Sequence, residues 1–314
     1  MKVGIAGIGA FGLKHLEAIS RIDGVEVACI TGGSNTTRLE AIAQRFNIPK
    51  VLPSLEACLA LPELEAMILC GPTQVHAAQA LACLQAGKHV QVEIPIADNL
   101  ADARALVAKQ QVTGLVAMAG HTRRYNPSHQ WLHQRIQNGK LVLQQLDVQT
   151  YFFRRTNVNA EGQPRSWTDH LLWHHACHTV DLFQYQTGQV AQQVNGLQGP
   201  LHPKLGIAMD MSIQMKVASG ALCTLSLSFN NQGPQGSFFR YICDNGTYIA
   251  RYDELLDGEG NAIDVSDIDV SLNGIELQDR EFFAAIQEGR EPRSSVARVF
   301  AAYETLDRIE KTLK

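Results

Sequence analysis

The run Gly7-Ile8-Gly9-Ala10-Phe11-Gly12 constrains this chain more than any other feature. It follows a short apolar stretch (Val3, Ile5, Ile8) and opens a segment, Leu13 to Ile22, that repeats apolar at three- and four-residue steps. That order reads as strand, tight turn and helix. Gly7 permits the turn, Gly9 lets a pyrophosphate approach the backbone, and Gly12 lets helix and strand pack closely. The helix N-terminus at Ala10 and Phe11 then offers unpaired N–H groups and a partial positive charge to phosphate. A lone glycine fingerprint is weak. Placed directly after the first strand of a βαβ-like unit, it points to a dinucleotide site.

The next strand, Val25 to Ile30, decides which dinucleotide. An acid at its end would bond a ribose 2′-hydroxyl. The sequence instead reads Thr31-Gly32-Gly33-Ser34-Asn35-Thr36-Thr37-Arg38. Hydroxyls and one Arg suit a 2′-phosphate, so Ser34, Thr36 and Arg38 favour NADP; a solvated loop with a helix cap is the plainer alternative.

Alternation of strand and helix continues for about 120 residues. Helices are expected at Leu39–Phe46, Leu55–Leu61 (capped by Ser54), His76–Ala86 and Leu100–Val112 (capped by Asn99, with Asp102 three residues on). Buried strands are expected at Ala66–Cys70, His89–Glu93 and Leu115–Ala119. This is the pattern of an α/β, doubly wound parallel (Rossmann) sheet, in which ligands bind beyond the carboxyl ends of the strands. Gly7–Gly12, Ser34, Cys70, Pro72, Thr73 and Glu93-Ile94-Pro95 then fall around one crevice. His76 is expected near the nicotinamide or as a helix cap.

After Gly120 the period changes to two. Met209, Met211, Ile213, Met215 and Val217 alternate with polar residues, Ala221 to Phe229 does the same, and Asn245-Gly246 marks a hairpin. With Leu143 to Phe153 this gives a C-terminal α+β domain built on a largely antiparallel open sheet. The expected boundaries are 1–120 for the NADP-binding domain and 121–314 for a substrate-binding and oligomerisation domain. The polar outer face (Ser212, Gln214, Lys216, Thr224, Ser226, Ser228) suits solvent or a homodimer equally. The closing helix should bury Val299, Phe300, Tyr303, Leu306 and Ile309.

A chain of 314 residues, 45% apolar and 18% charged, is ordinary for a globular enzyme. No apolar run is long enough to span a bilayer, and the N-terminus enters a strand without a signal peptide. Seven cysteines without a Cys-x-x-Cys pair suggest reduced thiols in the cytoplasm. A net charge of −4 gives no global case for nucleic acid. Locally the balance reverses: six Arg and one Lys lie between His121 and Arg165, against Asp147 and Glu161 alone. Arg123, Arg124, Arg154, Arg155 and Arg165 could clamp a small dicarboxylate.

The stretch most suggestive of chemistry is Trp173-His174-His175-Ala176-Cys177-His178-Thr179-Val180-Asp181, with His170 just before it. At α-helical spacing His174, His178 and Asp181 share a face. Three histidines a turn apart (His170, His174, His178) could hold a metal, yet the catalytic Glu that normally accompanies such zinc helices is missing. Acid–base work by a single His, without a metal, is the favoured reading; hydrogen-bonded helix histidines with no role are the plain one.

The glycine fingerprint, Gly71-Pro72-Thr73-Gln74-Val75-His76, Glu93-Ile94-Pro95, Arg124-Tyr125-Asn126-Pro127 and His178-Thr179-Val180-Asp181-Leu182 together resemble the glucose–fructose oxidoreductase/inositol dehydrogenase/MocA family. The resemblance runs over the whole chain and implies a nicotinamide-dependent dehydrogenase, with His178 collecting a proton, His174 assisting, and His121 and Trp167 joining the arginines around the substrate. It also exposes two departures. The family's usual Glu-Lys-Pro lysine is Ile94 here, and the Asp four residues before the motif His is His174. Both argue against polyol oxidation. A sugar or cyclitol dehydrogenase of the same fold and a non-catalytic NADP sensor are the alternatives.

Overall fold

The computed structural model describes residues 1–33, 35–158, 162–165, 168–266 and 274–313. Two compact units emerge: Met1–His121 with Ile275–Phe300, and Thr122–Gly274 with Ala301–Lys314.

The first unit runs β1 (Lys2–Ala6), α1 (Ala10–Ile19), β2 (Glu26–Thr31), α2 (Thr36–Arg45), β3 (Lys50–Val51), α3 (Leu55–Leu59), β4 (Ala66–Leu69), α4 (His76–Gln85), β5 (His89–Val92), α5 (Leu100–Thr113) and β6 (Ala117–Ala119). Its six strands lie in the order β3-β2-β1-β4-β5-β6, all parallel. β1 and β4 are buried along nearly their whole length, as parallel strands covered on both faces must be. Strand order reverses between β1 and β4, which opens a crevice at the carboxyl ends there. The expected caps form: Ser54 accepts from Ala57 N–H, and Asn99 from Asp102 N–H at 2.9 Å. α2 begins three residues earlier than the apolar pattern suggests, because Asn35 caps it by accepting from Arg38 N–H.

The second unit contains α6 (Pro127–Gln137), β7 (Leu143–Tyr151), α7 (Cys177–Thr187), β8 (Gln193–Gln198), β9 (Asp210–Lys216), β10 (Leu222–Ser228), β11 (Gly236–Cys243), β12 (Gly246–Arg251) and β13 (Glu254–Asp257). α8 (Ile275–Glu288) and the start of α9 (Val296–Glu310) return to the first unit. The seven strands take the order β13-β12-β11-β7-β10-β9-β8. β9 and β10 pair antiparallel, setting Met211, Ile213 and Met215 opposite Leu227, Leu225 and Cys223 on the buried face. The expected hairpin forms, with the turn at Asp244–Asn245 and Gly246 as the first residue of β12.

The sheet is largely antiparallel as expected, with β7 and β10 a parallel pair within it. The connection between them carries α7, β8 and β9, long enough to bring the chain back in the same direction. One expectation is corrected: Phe300 is only half-buried in α9, beneath the guanidinium of Arg104 at 5.2 Å, whereas Val299, Tyr303, Leu306 and Ile309 are fully buried.

Candidate active site

In the first unit the glycine turn has the form a dinucleotide requires. Gly7 sits at φ +95°, and a Cβ there would meet the backbone of Cys70 and Gly71 at 2.5–2.6 Å. A Cβ on Gly12 would lie 2.2 Å from the Gly7 carbonyl oxygen. Gly9 caps α1 with no side-chain bond, and a Cβ there would meet nothing within 4 Å. The space above the helix N-terminus is therefore open, and no acid in the first turn opposes an anion. Phe11 stands half-exposed beside it.

Arg38 reaches this turn, donating from Nη1 to the Ile8 carbonyl at 2.7 Å. Thr36, the first residue of α2, is exposed, and Ser34 lies outside the described residues. Across the crevice His76 does something neither expectation covered. Its two ring nitrogens lie 2.8 and 2.9 Å from the carbonyl oxygens of Pro95 and Gly71, so the ring ties together the segments that follow β4 and β5. Thr73, Glu93 and Ile94 are buried there, and burial pushes the Cys70 thiol up. His121, which closes the unit, is buried as well.

In the second unit the five arginines part company. Arg124 is buried and bidentate on Asp181, Nε and Nη2 donating to Oδ2 and Oδ1 at 2.8 and 2.6 Å, with its guanidinium over Tyr185. Arg123 is buried over Tyr252 and donates to Asn126 at 3.2 Å. Arg155 is exposed, bonded to Asn230 Oδ1 and to backbone carbonyls. Arg154 and Arg165 alone converge, on Asp169: Arg154 Nη2 donates to Oδ2 at 2.5 Å and Arg165 Nη1 lies 3.6 Å from the same oxygen. Trp167 lies outside the described residues.

The histidine segment is not the regular helix its spacing suggests. Leu171–Ala176 forms a π-helical turn, capped by His170, whose Nδ1 accepts from Leu172 N–H; α7 follows. A π turn widens the spiral and recurs at functional sites. Its effect here is to bring His175 into the group, a residue that α-helical spacing left out. The His175 ring lies 4.9 Å from His174, 5.4 Å from Phe152 and 5.0 Å from Phe229. Asp169, also missed, carried a detectable signal: it stands four residues after Arg165.

Asp169, His174 and His175 offer ligand atoms within 4.8 Å of one another, a set that could hold a metal ion and differs from the His170–His174–His178 set considered on spacing. Electrostatics favours an anion instead. Burial would raise the Asp169 carboxyl, but His174, Arg154 and His175 outweigh it and hold it at about 2. Burial, reinforced by His174, lowers His175 to about 3. Two guanidinium groups, one carboxylate and a neutral imidazole leave the cluster positive. Among the described residues, Arg154 Nη1 and His175 Nε2 are buried without a hydrogen-bond partner, so a ligand can take them.

The His175 shift has a measurable consequence. The folded state keeps the ring neutral down to about pH 3, whereas the unfolded chain takes up a proton below about pH 6.5. Its contribution to stability therefore falls as pH drops through that window, by up to about 1.4 kcal/mol per pH unit. Urea titrations at pH 7 and pH 5 should show His175→Gln losing about 2 kcal/mol less than the unmodified chain over that interval. Equal losses would mean the ring is not held neutral.

Residues 1–121 match the oxidoreductase family with an NAD-binding Rossmann fold, and residues 127–269 match the C-terminal region of bacterial oxidoreductases. Over 314 residues, 100% of this chain and 99% of the relative, the sequence is 61% identical to 4-carboxy-2-hydroxymuconate-6-semialdehyde dehydrogenase of Sphingobium sp. (strain NBRC 103272 / SYK-6). The chain belongs to this oxidoreductase family. It is also 21% identical over 283 residues to scyllo-inositol 2-dehydrogenase (NAD(+)) of Bacillus subtilis (strain 168), covering 84% of this chain and 79% of that one. A levoglucosan dehydrogenase in complex with NADH and levoglucosan superposes with a TM-score of 0.87 at 19% identity, covering 99% and 96% of the two chains, which shows the shared fold. The glucose–fructose oxidoreductase/inositol dehydrogenase/MocA resemblance therefore holds, and the chain is a dehydrogenase with a nicotinamide-binding domain.

Proposed function

We propose that the chain oxidises the cyclic hemiacetal of 4-carboxy-2-hydroxymuconate-6-semialdehyde to 2-pyrone-4,6-dicarboxylate, with NADP, in the protocatechuate route of lignin-derived aromatic degradation. The observation that carries this reading is the pairing of Arg154 and Arg165 around Asp169. Asp169 holds the two guanidinium groups together, and Arg154 Nη1 and His175 Nε2 remain for a carboxylate. The 61% identity to a semialdehyde dehydrogenase supports the same substrate.

In this reading His178 takes the proton of the hemiacetal hydroxyl while His174 orients the ring. A bound nicotinamide supplies the hydride acceptor. A hemiacetal hydroxyl is more acidic than an ordinary alcohol, so an imidazole suffices where polyol-oxidising relatives use lysine, and buried Ile94 takes that place as a dry wall. Arg155, His121 and Trp167 stay with substrate binding, whereas Arg123 and Arg124 pass to holding the fold. Absorbance at the reduced-nicotinamide band should rise with the semialdehyde and stay flat with inositol or glucose. The opposite pattern makes the enzyme a polyol dehydrogenase.

The absence of an acid at the end of β2, together with Arg38 at the glycine turn, supports NADP over NAD. Arg38→Ala should raise KM for NADP about tenfold, the scale of one charge-assisted hydrogen bond, and leave NAD unchanged. Equal effects on both would remove Arg38 from the 2′-phosphate. Seven free cysteines fit a reducing cytoplasm. The outer face of β8–β10, with grooves of about 320 and 330 Å³ lined by Gln214, Lys216, Thr224 and Ser226, fits a homodimer contact.

A further inference from the structure

Beneath the dinucleotide crevice the first unit buries a group of charges that no step above uses. His15, on α1 three residues after Gly12, is fully buried. Its Nδ1 lies 2.9 Å from both carboxylate oxygens of Asp279 on α8, and its Nε2 lies 3.2 Å from Glu93 Oε1. Gln91 donates to Asp279 at 2.7 Å and Gln278 to Glu93 at 3.1 Å. The Glu93 carboxyl fills the space that a side chain at Gly120 would take: a Cβ there would fall 2.4 Å from its Oε1.

An imidazole with a carboxylate at each nitrogen donates to both only as the imidazolium. Burial opposes that charge and pushes the Asp279 carboxyl up as well, but the Asp279 contact outweighs it and holds His15 well above the usual histidine range. Among His15, Asp279 and Glu93, two carboxylates and one imidazolium leave one net negative charge. Buried ionic groups are costly, and apolar residues of similar volume commonly stabilise a fold as well or better. Stability alone therefore gives no reason for this arrangement, and its position does. Glu93 directly follows β5, in the half of the sheet (β4–β6) opposite the half where the β2 end meets the adenosine ribose. That second half takes the nicotinamide.

We propose that His15 and Asp279 are positioning residues that hold Glu93 in place and fix one net negative charge on the nicotinamide side of the fold, so that the oxidised, cationic ring is bound in preference to the reduced, neutral one. The bias favours loading the enzyme for oxidation and releasing the reduced product. It rests on the dinucleotide reading of this unit and is independent of the substrate.

The test is the ratio of Kd for NADPH to Kd for NADP+, measured by calorimetry on the full chain, with thermal melts to confirm folding. Glu93→Gln leaves Asp279 with the imidazolium it holds, cancels the net charge and should lower the ratio about fivefold or more, the effect of one charge at moderate distance in a protein interior. His15→Gln combined with Asp279→Asn leaves Glu93 as a single negative charge and should return the ratio to within about twofold of the starting value. Glu93→Asp keeps the charge and should leave the ratio within about twofold of the starting value, which separates a lost charge from disturbed packing. His76, which acts on Glu93, is common to all of them and cancels. A merely structural role predicts that both Kd values move together and that the double variant is worse than the single one; either result overturns the proposal. If the unmodified chain binds neither form, the dinucleotide reading itself fails.

Discussion

Replacing Arg124 with Met should lower the stability of the second unit by about 3–5 kcal/mol, an effect on folding well before it is one on substrate affinity. Both oxygens of Asp181 accept from this one guanidinium, and both partners are almost entirely shielded from water. Burial works against the Arg124 charge, yet Asp181 more than compensates, so the arginine is held above its usual range. Its planar face lies over Tyr185 at 4.5 Å, and His133 stacks against that same ring at 3.8 Å. Methionine keeps the bulk and strands a carboxylate in the interior. Adding Asp181→Asn removes the stranded charge and should recover part of the loss, which a variant that merely created a cavity would not show. Urea midpoints at fixed pH give both numbers. A single-variant loss below about 1 kcal/mol would place Arg124 among surface arginines and restore it to the substrate clamp.

Arg124 also marks where the sequence stops being informative. A run of five arginines among few acids was visible, and so was the dicarboxylate it suggested. Which arginines are free to meet that ligand was not, because Asp181 lies 57 residues from Arg124 and only the folded chain joins them. Asp169 could be found, since it sits one helical turn from Arg165. The glycine turn was legible for a local reason: at Gly7 and Gly12 a Cβ would strike backbone a few residues away or joined to the turn by a strand pair, and Gly9 leaves the helix N-terminus open. Alternation in β9 and β10 was legible because one face is wet and the other dry. Parallel pairing of β7 with β10 was not, since alternation is the same in either direction. The π turn escaped notice because a periodicity argument presumes the period it uses. The His15–Asp279 contact spans 264 residues and left no trace in either neighbourhood.

That π turn governs what removing His178 should do. His178→Ala should reduce kcat/KM by about 10²–10⁴-fold, the usual share of a positioned general base, with the Kd for NADP unchanged. His178 lies in the first turn of α7, one turn before Asp181, so the Arg124 pair that buries Asp181 also fixes the orientation of the segment carrying His178. His174 lies in the widened turn just before, beside His175 and near Asp169; in the proposed reaction it aligns the substrate ring while Arg154 and Arg165 take a carboxylate. Alanine at His174 should therefore cost less, about tenfold, because alignment is shared with the guanidinium groups. The order of the two effects is the decisive quantity. Should His174→Ala prove the more damaging, the proton goes to the π turn rather than to α7, and His175, already held neutral at about 3, becomes the acceptor to test next.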